Sequence, residues 1–213
     1  MRWWLLAGAA ALPFLAYGFG AHVIEEWDAA QKKSALPIRV AVVQGNVDQM
    51  DKITRENVWE LLDRHVRLSH EAAQAGARHI VWPEAALPLA YVYSPAYRER
   101  VERFTKETGT FLTFGTLSKQ AVDAPAPAGS LFNSALTVSA DGRITARYDK
   151  MRLAPFGEYV PFGGFLQRFI PYLGKIGTFS SGRGPSLFKI NGVLLAPNIC
   201  YEAVFPDLVR KSV

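Results

Sequence analysis

Cys200 is the residue of this 213-residue sequence most able to form a covalent bond with a substrate, and it is the only cysteine. It follows the apolar run 193–196, which predicts a buried strand, and precedes 203–210, which predicts a short helix. At the amino end of a helix, unpaired N–H groups and a partial positive charge stabilise a thiolate. The position suits a nucleophile, although a lone cysteine beside an apolar strand is more often a small buried hydrophobe.

Two charged residues occupy similar positions elsewhere in the chain. Glu84 comes shortly after the apolar run 79–81, and Lys150 comes shortly after the strand-like segment 143–148. Sites gather beyond the carboxyl ends of strands in open α/β sheets. A cysteine nucleophile needs a base and a group that stabilises an oxyanion, so Glu84, Lys150 and Cys200 could supply base, positive charge and acyl carrier. Taken singly, either charged residue could be an ordinary surface group.

The hydrophobic periodicity predicts elements in the order of an α/β domain. We predict strands at 38–43, 79–81, 110–114, 131–139, 143–148, 186–190 and 193–199, and helices at 54–76, 94–109 and 203–210. The first two strands with the helix between them form a β-α-β unit. Asp141-Gly142 and Asn191-Gly192 each separate two strands and predict hairpin turns.

The amino-terminal segment predicts a membrane anchor. Residues 3–24 carry no charge and as a helix would rise about 33 Å, enough to cross a bilayer. We therefore predict a transmembrane helix at 1–25, a linker at 26–37 and a catalytic domain at 38–213. Arg2 precedes the span and acidic residues follow it, which predicts a cytoplasmic amino end and a domain outside. A cleaved signal peptide and a buried helix are the alternatives.

The composition excludes several classes of function. The net charge is +5, but the basic residues are scattered and form no block interleaved with aromatics, so we expect no nucleic-acid partner. One cysteine cannot form an intrachain disulfide. The four histidines include no i,i+4 pair, and we expect no metal and no organic cofactor.

The segment 153–184 is unusually aromatic for a loop. Its rings alternate with glycines and prolines: Phe156, Tyr159, Phe162, Phe165, Phe169, Tyr172 and Phe179. They either pack into the core or form a mobile apolar arm that touches lipid, where aromatic side chains are favourable.

The three chemical positions together resemble a known signature. Trp82-Pro83-Glu84, Tyr148-Asp149-Lys150 and Cys200-Tyr201-Glu202 are similar to the Glu-Lys-Cys words of the nitrilase (carbon–nitrogen hydrolase) superfamily. The word LAPFGEYVPF at 153–162 and Gln44-Gly45-Asn46 near the first strand, with a span ahead of them, resemble the apolipoprotein N-acyltransferase family.

This resemblance implies a fold and an activity. The fold would be a nitrilase-like α-β-β-α sandwich, and the enzyme would lie in the bacterial inner membrane with its domain in the periplasm. Such enzymes transfer an acyl chain from a phospholipid, typically phosphatidylethanolamine, to the amino group of an apolipoprotein's diacylglyceryl-cysteine through a cysteine thioester.

The resemblance also implies roles for individual residues. Glu84 would be the general base, Lys150 would stabilise the tetrahedral intermediate, and Cys200 would be acylated. Glu158, Tyr201 and Glu202 match positions that support the site.

Members of that family have further membrane spans before the matching region and further strands after the cysteine. We therefore expect this chain to be a fragment with an incomplete sandwich, truncated at its carboxyl-terminal side, whose unpaired sheet edge would weaken the fold. Two alternatives stay open. One is a nitrilase-family amidase that hydrolyses a small amide, and the other is a membrane-anchored binding module whose cysteine is structural.

Overall fold

The computed structural model of the protein describes residues 3–34, 38–46, 55–87, 91, 94–119, 130–162 and 179–211. The chain divides into two compact units, Met1–Pro37 and Ile38–Val213. Several predicted features lie outside the described residues: the helix start at Thr54, the surface loop 121–129, and the aromatic residues Phe165, Phe169 and Tyr172.

The first unit contains one long helix, α1, at Trp3–Ser34. The helix continues through most of the segment predicted as a linker, because 26–34 is rich in Ala, Gln and Lys, which favour helix. Phe14, Tyr17 and Phe19 on this helix are exposed. Among the described residues, no helix has an apolar stretch long enough to span a bilayer. The predicted membrane span therefore stays a prediction.

The second unit is built on a five-stranded sheet with the strand order β1-β2-β3-β4-β5. The described strands and helices of this part of the sheet are β1 Val40–Val42, α2 Arg55–Gln74, β2 His79–Val81, α3 Pro95–Thr108, β3 Phe111–Ser118, β4 Phe132–Val138 and β5 Ile144–Asp149. β1, β2 and β3 are parallel, which confirms the β-α-β unit, and β4 and β5 continue the sheet antiparallel.

Helices α2 and α3 bury apolar stripes that pack with the sheet's residues in one core. Leu62 and Val66 of α2 and Phe104 of α3 belong to the same buried cluster as Ile80 and Leu112 of the sheet. The stripes recur at helical spacing, so each helix buries one side against the sheet and leaves its charged side in solvent. The packing of α2 and α3 against the sheet fixes the strands whose ends carry the candidate site.

Both predicted hairpins are present. The turn between β4 and β5 contains Gly142 at φ 82°, and the turn between β6 (Phe188–Ile190) and β7 (Val193–Leu195) contains Asn191 at φ 49° and Gly192 at φ 85°. The positive φ values of both Asn191 and Gly192 are those of the tight hairpin turn that Asn-Gly favours. β6 and β7 form a separate two-stranded sheet.

The chain after β7 differs from the prediction. The strand predicted through Ile199 ends at Leu195, and the predicted helix 203–210 is divided into a 3₁₀ helix at Cys200–Val204 and a short helix, α4, at Pro206–Arg210. Pro206 explains the division, because a proline disfavours helical backbone at the residue before it, and Phe205 is extended at φ −101°, ψ 96°. We call Cys200–Val204 the Cys200 turn.

The described part of the aromatic segment is divided between surface and interior. Phe156 and Phe162 are exposed, whereas Tyr159 and Phe179 are half-buried. Core packing is therefore wrong for Phe156 and Phe162.

Candidate active site

Glu84 lies in a tight turn just beyond the end of β2. The turn is hydrogen-bonded to β3, since Trp82 N donates to Thr113 O at 2.9 Å and Leu87 N donates to Gly115 O at 3.2 Å. Ala85 has φ 50°, a left-handed conformation that costs a non-glycine residue about 1 kcal/mol or more. These constraints turn the Glu84 side chain, 34% exposed, toward the site.

Gly115 of β3 makes room for this turn. A Cβ at position 115 would lie 2.6 Å from Ala85 N, 2.7 Å from Glu84 Cα and 2.8 Å from Pro83 O, and all three are backbone atoms. Only glycine allows the backbone around Glu84 to approach the sheet this closely.

Lys150 is fixed at the end of β5 by both of its backbone polar groups. Its N–H donates to Asn133 O and its carbonyl accepts from Gly182 N, each at 2.8 Å. A Cβ at Gly182 would lie 2.0 Å from Asp149 O, so this approach also requires glycine. The Lys150 residue is 2% exposed.

Four polar side chains meet here in what we call the acid–amine cluster: Glu84, Asn133, Lys150 and Glu158. Lys150 Nζ lies 3.0 Å from Glu158 Oε1 and 3.5 Å from Glu84 Oε1. Asn133 Nδ2 donates to the same two oxygens, at 2.8 Å and 2.7 Å respectively. The structure therefore joins two predicted residues, Glu84 and Lys150, with one predicted supporting residue, Glu158.

The cluster keeps its buried charges ionised. Burial alone would lower the pKa of Lys150, but the hydrogen bond to Glu158 and the negative charges of Glu84 and Glu158 outweigh it and raise that pKa. Burial would raise the pKa of Glu158, yet its hydrogen bonds from Ala154 N, Asn133 and Lys150 lower it. Lys150 is therefore a buried cation held in place by two carboxylates.

Asn133 is a site residue that the sequence reasoning missed. It lies in β4, whose residues are all buried, one position from the Ser134–Asp149 pair of the β4–β5 register. A buried carboxamide needs hydrogen-bond partners, and the Nδ2 group of Asn133 donates to two carboxylates. β4 also contains the polar residues Ser134 and Thr137, so polarity within this strand does not single out Asn133 in the sequence.

Cys200 is exposed and begins the Cys200 turn at φ 53°. A non-glycine residue in the left-handed region stores strain of about 1–3 kcal/mol, and such strain often occurs at functional sites. The helix that Cys200 begins has five residues, so it is shorter than predicted.

Glu202 fixes the Cys200 turn through hydrogen bonds to its side-chain carboxylate. The residue is fully buried. Its Oε1 accepts from Tyr148 OH at 2.8 Å, Met151 N at 2.7 Å and Arg152 N at 3.0 Å, and its Oε2 accepts from Ile199 N at 2.8 Å. One carboxylate thus ties the chain after Lys150 to the chain before Cys200. Burial, together with the hydrogen bond to Glu202, raises the pKa of Tyr148.

Tyr201 lies beside the nucleophile on the surface. It is 45% exposed, and its ring packs edge-on against Phe205 with centroids 5.0 Å apart. The predicted supporting residues therefore differ in kind: Glu158 and Glu202 are held in hydrogen-bond networks, whereas Tyr201 forms part of an exposed aromatic surface.

Glu84 and Cys200 line one cavity of about 280 Å³. Its walls are mainly apolar and include Trp82, Phe114, Phe188, Leu195 and Ile199. An acid next to a buried ammonium therefore opens into the same space as an exposed thiol. That arrangement can deprotonate the thiol and stabilise an oxyanion at the attacked carbon.

Comparison with known proteins identifies the family. The profile of the family "Carbon-nitrogen hydrolase" matches residues 39–213. The chain belongs to this family. Its matched region contains Glu84, Lys150 and Cys200 together with the three supporting positions.

Named relatives within the family are apolipoprotein N-acyltransferases. The one from Vibrio vulnificus (strain CMCP6) is 33% identical over 221 residues, which cover 100% of this chain and 41% of the relative. The one from Geobacter metallireducens (strain ATCC 53774 / DSM 7210 / GS-15) is 32% identical over 204 residues, 93% of this chain and 36% of the relative. The chain thus spans well under half the length of these relatives.

A solved structure supports the fold of this carbon–nitrogen hydrolase. The amidase from Nesterenkonia sp. is similar with a TM-score of 0.58 and 19% sequence identity, over 82% of this chain and 60% of that one. The nitrilase-like α/β fold predicted from the sequence is therefore confirmed.

Proposed function

We propose that this protein transfers a fatty acyl chain from a phospholipid to the amino-terminal diacylglyceryl-cysteine of bacterial apolipoproteins, through a thioester on Cys200. The observation that carries the proposal is that Glu84, ion-paired with buried Lys150, lines the same cavity as Cys200. The similarity to proteins named apolipoprotein N-acyltransferase supports the choice of donor and acceptor.

In the first half of the reaction, Glu84 takes the proton of the Cys200 thiol and the sulfur attacks the ester carbonyl of the phospholipid. Lys150, whose raised pKa keeps it cationic and which is ion-paired with Glu84, supplies the positive charge that stabilises the negative charge developing on the carbonyl oxygen. When the carbon–oxygen bond breaks, Glu84 returns its proton to the departing lysophospholipid oxygen. The products are a lysophospholipid and an acyl thioester on Cys200.

In the second half, the amine of the diacylglyceryl-cysteine attacks the thioester carbon. Glu84 accepts a proton from the amine as the carbon–sulfur bond breaks, and that proton returns to the Cys200 sulfur. The product is an amide. Transfer to the amine rather than to water requires that water stay away from the thioester, and the apolar walls of the cavity favour this.

Glu158, Glu202 and Tyr201 serve the reaction indirectly in this proposal. Glu158 holds the Lys150 ammonium at 3.0 Å, and Glu202 shapes the backbone that presents Cys200. Tyr201 flanks the nucleophile on its exposed side.

We further propose that residues 1–25 cross the bacterial inner membrane and that 38–213 lie in the periplasm. The support is the uncharged run 3–24 and the sequence similarity to the named acyltransferases. The exposed Phe156 and Phe162 of the aromatic segment would then meet lipid, which favours aromatic side chains at its interface.

Intact mass spectrometry tests the proposal. The full chain is incubated with phospholipid in mixed micelles, and we expect an adduct of fatty-acyl mass that hydroxylamine removes and that Cys200→Ala does not form. Glu84→Gln should slow adduct formation about 10²–10⁴-fold, as loss of a general base does. Failure of the unmodified chain to form the adduct would contradict the acyltransferase proposal, and hydrolysis of small amides in its place would favour the amidase.

A further inference from the structure

Arg152 contacts the Cys200 turn but is not part of the acid–amine cluster. It follows Lys150 by two residues, and its backbone N–H donates to Glu202 Oε1 at 3.0 Å. Glu202 belongs to the Cys200 turn. The backbone at Arg152 is therefore tied to the same carboxylate that positions Cys200.

The guanidinium of Arg152 rests on an aromatic surface. Its Cζ lies 5.4 Å from the ring centroid of Phe205, which in turn packs edge-on against Tyr201. A cation over an aromatic face is attracted by the ring, and this contact limits the rotamers of a long side chain. The guanidinium is thus oriented at the surface over Phe205, the residue that follows the Cys200 turn.

The hydrogen-bond donors of Arg152 are weakly used. Its Nη2 lies 3.4 Å from Asp207 Oδ2, and both side chains are 54% exposed. Arg143 gives the contrast within the same domain, because its Nε donates to Asp141 at 2.6 Å in a hairpin turn. Arg152 therefore holds a planar set of N–H donors available to an anion, whereas Arg143 has a close carboxylate partner.

We propose that Arg152 binds the phosphate of the phospholipid acyl donor. The proposal rests on the proposed function and names a specificity residue for it. In a phospholipid the phosphate is only a few covalent bonds from the ester carbon that Cys200 attacks, so a phosphate-binding group must lie beside Cys200 and outside the acid–amine cluster. The arginine fork matches phosphate geometry and can bind two of its oxygens at once.

Lys150 is unsuited to this task. It is 2% exposed and lies between the carboxylates of Glu84 and Glu158. Arg152, by contrast, is 54% exposed, and its backbone is tied to the Cys200 turn through Glu202. The two cations thus have separate places, one at the reacting carbon and one at the headgroup.

Two acyl donors that leave the same acyl group on Cys200 test the assignment: dipalmitoyl phosphatidylethanolamine, and p-nitrophenyl palmitate, which has no phosphate. Arg152→Gln should slow adduct formation from the phospholipid about tenfold, the lower end for a lost charge-assisted hydrogen bond, since the site is half-exposed. The rate with p-nitrophenyl palmitate should not change. Equal slowing with both donors, or with neither, would overturn the role of Arg152.

Three further variants sharpen the result. Arg152→Lys should keep part of the phospholipid rate, because it retains the charge and loses the fork. Asp207→Asn should raise that rate roughly twofold by removing a weak competitor for the guanidinium. Arg143→Gln, the matched control, makes the same charge change at the other end of β5 and should leave both rates unchanged.

A binding measurement separates failure of this inference from failure of the proposed function. Dihexanoyl phosphatidylethanolamine is titrated into the Cys200→Ala chain with and without Arg152→Gln, and the second variant should bind about tenfold more weakly. Equal binding would overturn the Arg152 assignment even if acyl transfer occurs. Weaker binding together with no thioester on the unmodified chain would contradict the acyl-transfer proposal and support the phosphate-binding role of Arg152. Inorganic phosphate that binds as tightly as the lipid would reassign the group to free phosphate and overturn the lipid role.

Discussion

The two halves of the candidate site are built in different ways. The acid–amine cluster is internal, and its side chains bond to one another and to backbone at the ends of sheet strands. The Cys200 turn is on the surface: Cys200, Tyr201 and Val204 are exposed, and one buried residue, Glu202, holds the turn. The same site thus combines a charged cluster whose side chains hydrogen-bond to one another with a nucleophile whose turn is held by the single carboxylate of Glu202.

This difference separates two physical requirements. Buried charges are tolerated only when they are paired and hydrogen-bonded, which demands many fixed partners. A thiol that must meet two substrates in turn needs access, which demands exposure. Glu202 reconciles the two, because it bonds to the backbone on both sides of the site. Removing its second acceptor oxygen should therefore damage the Cys200 turn more than the acid–amine cluster.

The largest effect is expected from Glu202→Gln. In the unmodified chain, backbone N–H groups donate to both carboxylate oxygens of Glu202. The glutamine replaces one of these oxygens by an NH₂ group, so at least one buried backbone N–H loses its acceptor. We expect the free energy of unfolding to fall by about 2–3 kcal/mol in urea titrations, and thioester formation on Cys200 to be lost.

Glu71→Gln is the control for Glu202→Gln. Glu71 pairs with Arg67 on the exposed face of α2, and its loss should cost less than about 0.5 kcal/mol. Similar losses for the two variants would show that Glu202 does not support the turn in the way described.

An intermediate effect is expected from Gly115→Ala, which acts on the other half of the site. The added methyl group would lie 2.6–2.8 Å from the backbone at 83–85, so the turn must move and carry Glu84 away from Lys150. Overpacking of this kind costs about 1–3 kcal/mol of unfolding free energy. Thioester formation should fall more than stability does, because the position of Glu84 changes first.

Gly184→Ala provides the comparison for Gly115→Ala, since a Cβ at Gly184 meets no atom within 4 Å. It should change neither unfolding nor acylation measurably. An unchanged acylation rate in Gly115→Ala would mean that Glu84 does not need its observed position.

The smallest effect is the acid dependence of the cluster. The pKa of Glu158 is raised by burial but lowered overall by its hydrogen bonds from Ala154 N, Asn133 and Lys150, so it lies below its ordinary value of 4.5. A lowered folded pKa means that Glu158 adds stability that is fully present above its ordinary pKa of 4.5 and is lost as the pH falls below 4.5 and through the lower folded pKa. The slope of unfolding free energy against pH should be smaller in Glu158→Gln, measured from neutral pH downwards. A slope identical to that of the unmodified chain would exclude this linkage.

Much of the fold follows from local sequence patterns. The hairpin turns at Asp141-Gly142 and Asn191-Gly192 were predictable, because tight hairpin turns need positive φ, which glycine adopts without strain and asparagine tolerates. The apolar stripe of α2 was predictable for the same kind of reason, since its spacing matches the helical period. The end of β7 was not predicted: the strand was expected to continue to Ile199, but only Val193–Leu195 pair with β6.

The candidate site likewise contains residues that the sequence indicates and residues that only the structure shows. Glu84, Lys150 and Cys200 could be chosen from the sequence because each follows a strand-like run and has the right chemistry. Asn133 could not, because its importance comes from two carboxylates that lie 49 and 25 residues away along the chain. The same holds for Gly115 and Gly182. Only the folded structure shows that a Cβ at either position would clash with neighbouring backbone atoms.

The sequence by itself determined the family, the order of strands and helices, and which acid, amine and thiol are available, because these depend on residue types and on periodicities of a few residues. The tertiary structure alone decided that Lys150 is shared between two carboxylates, that Asn133 bridges them, and that Glu202 supports the cysteine from beneath. The physical reason is that hydrogen bonds and charge interactions act over a few ångströms in space, whereas the groups they join here are far apart in the chain.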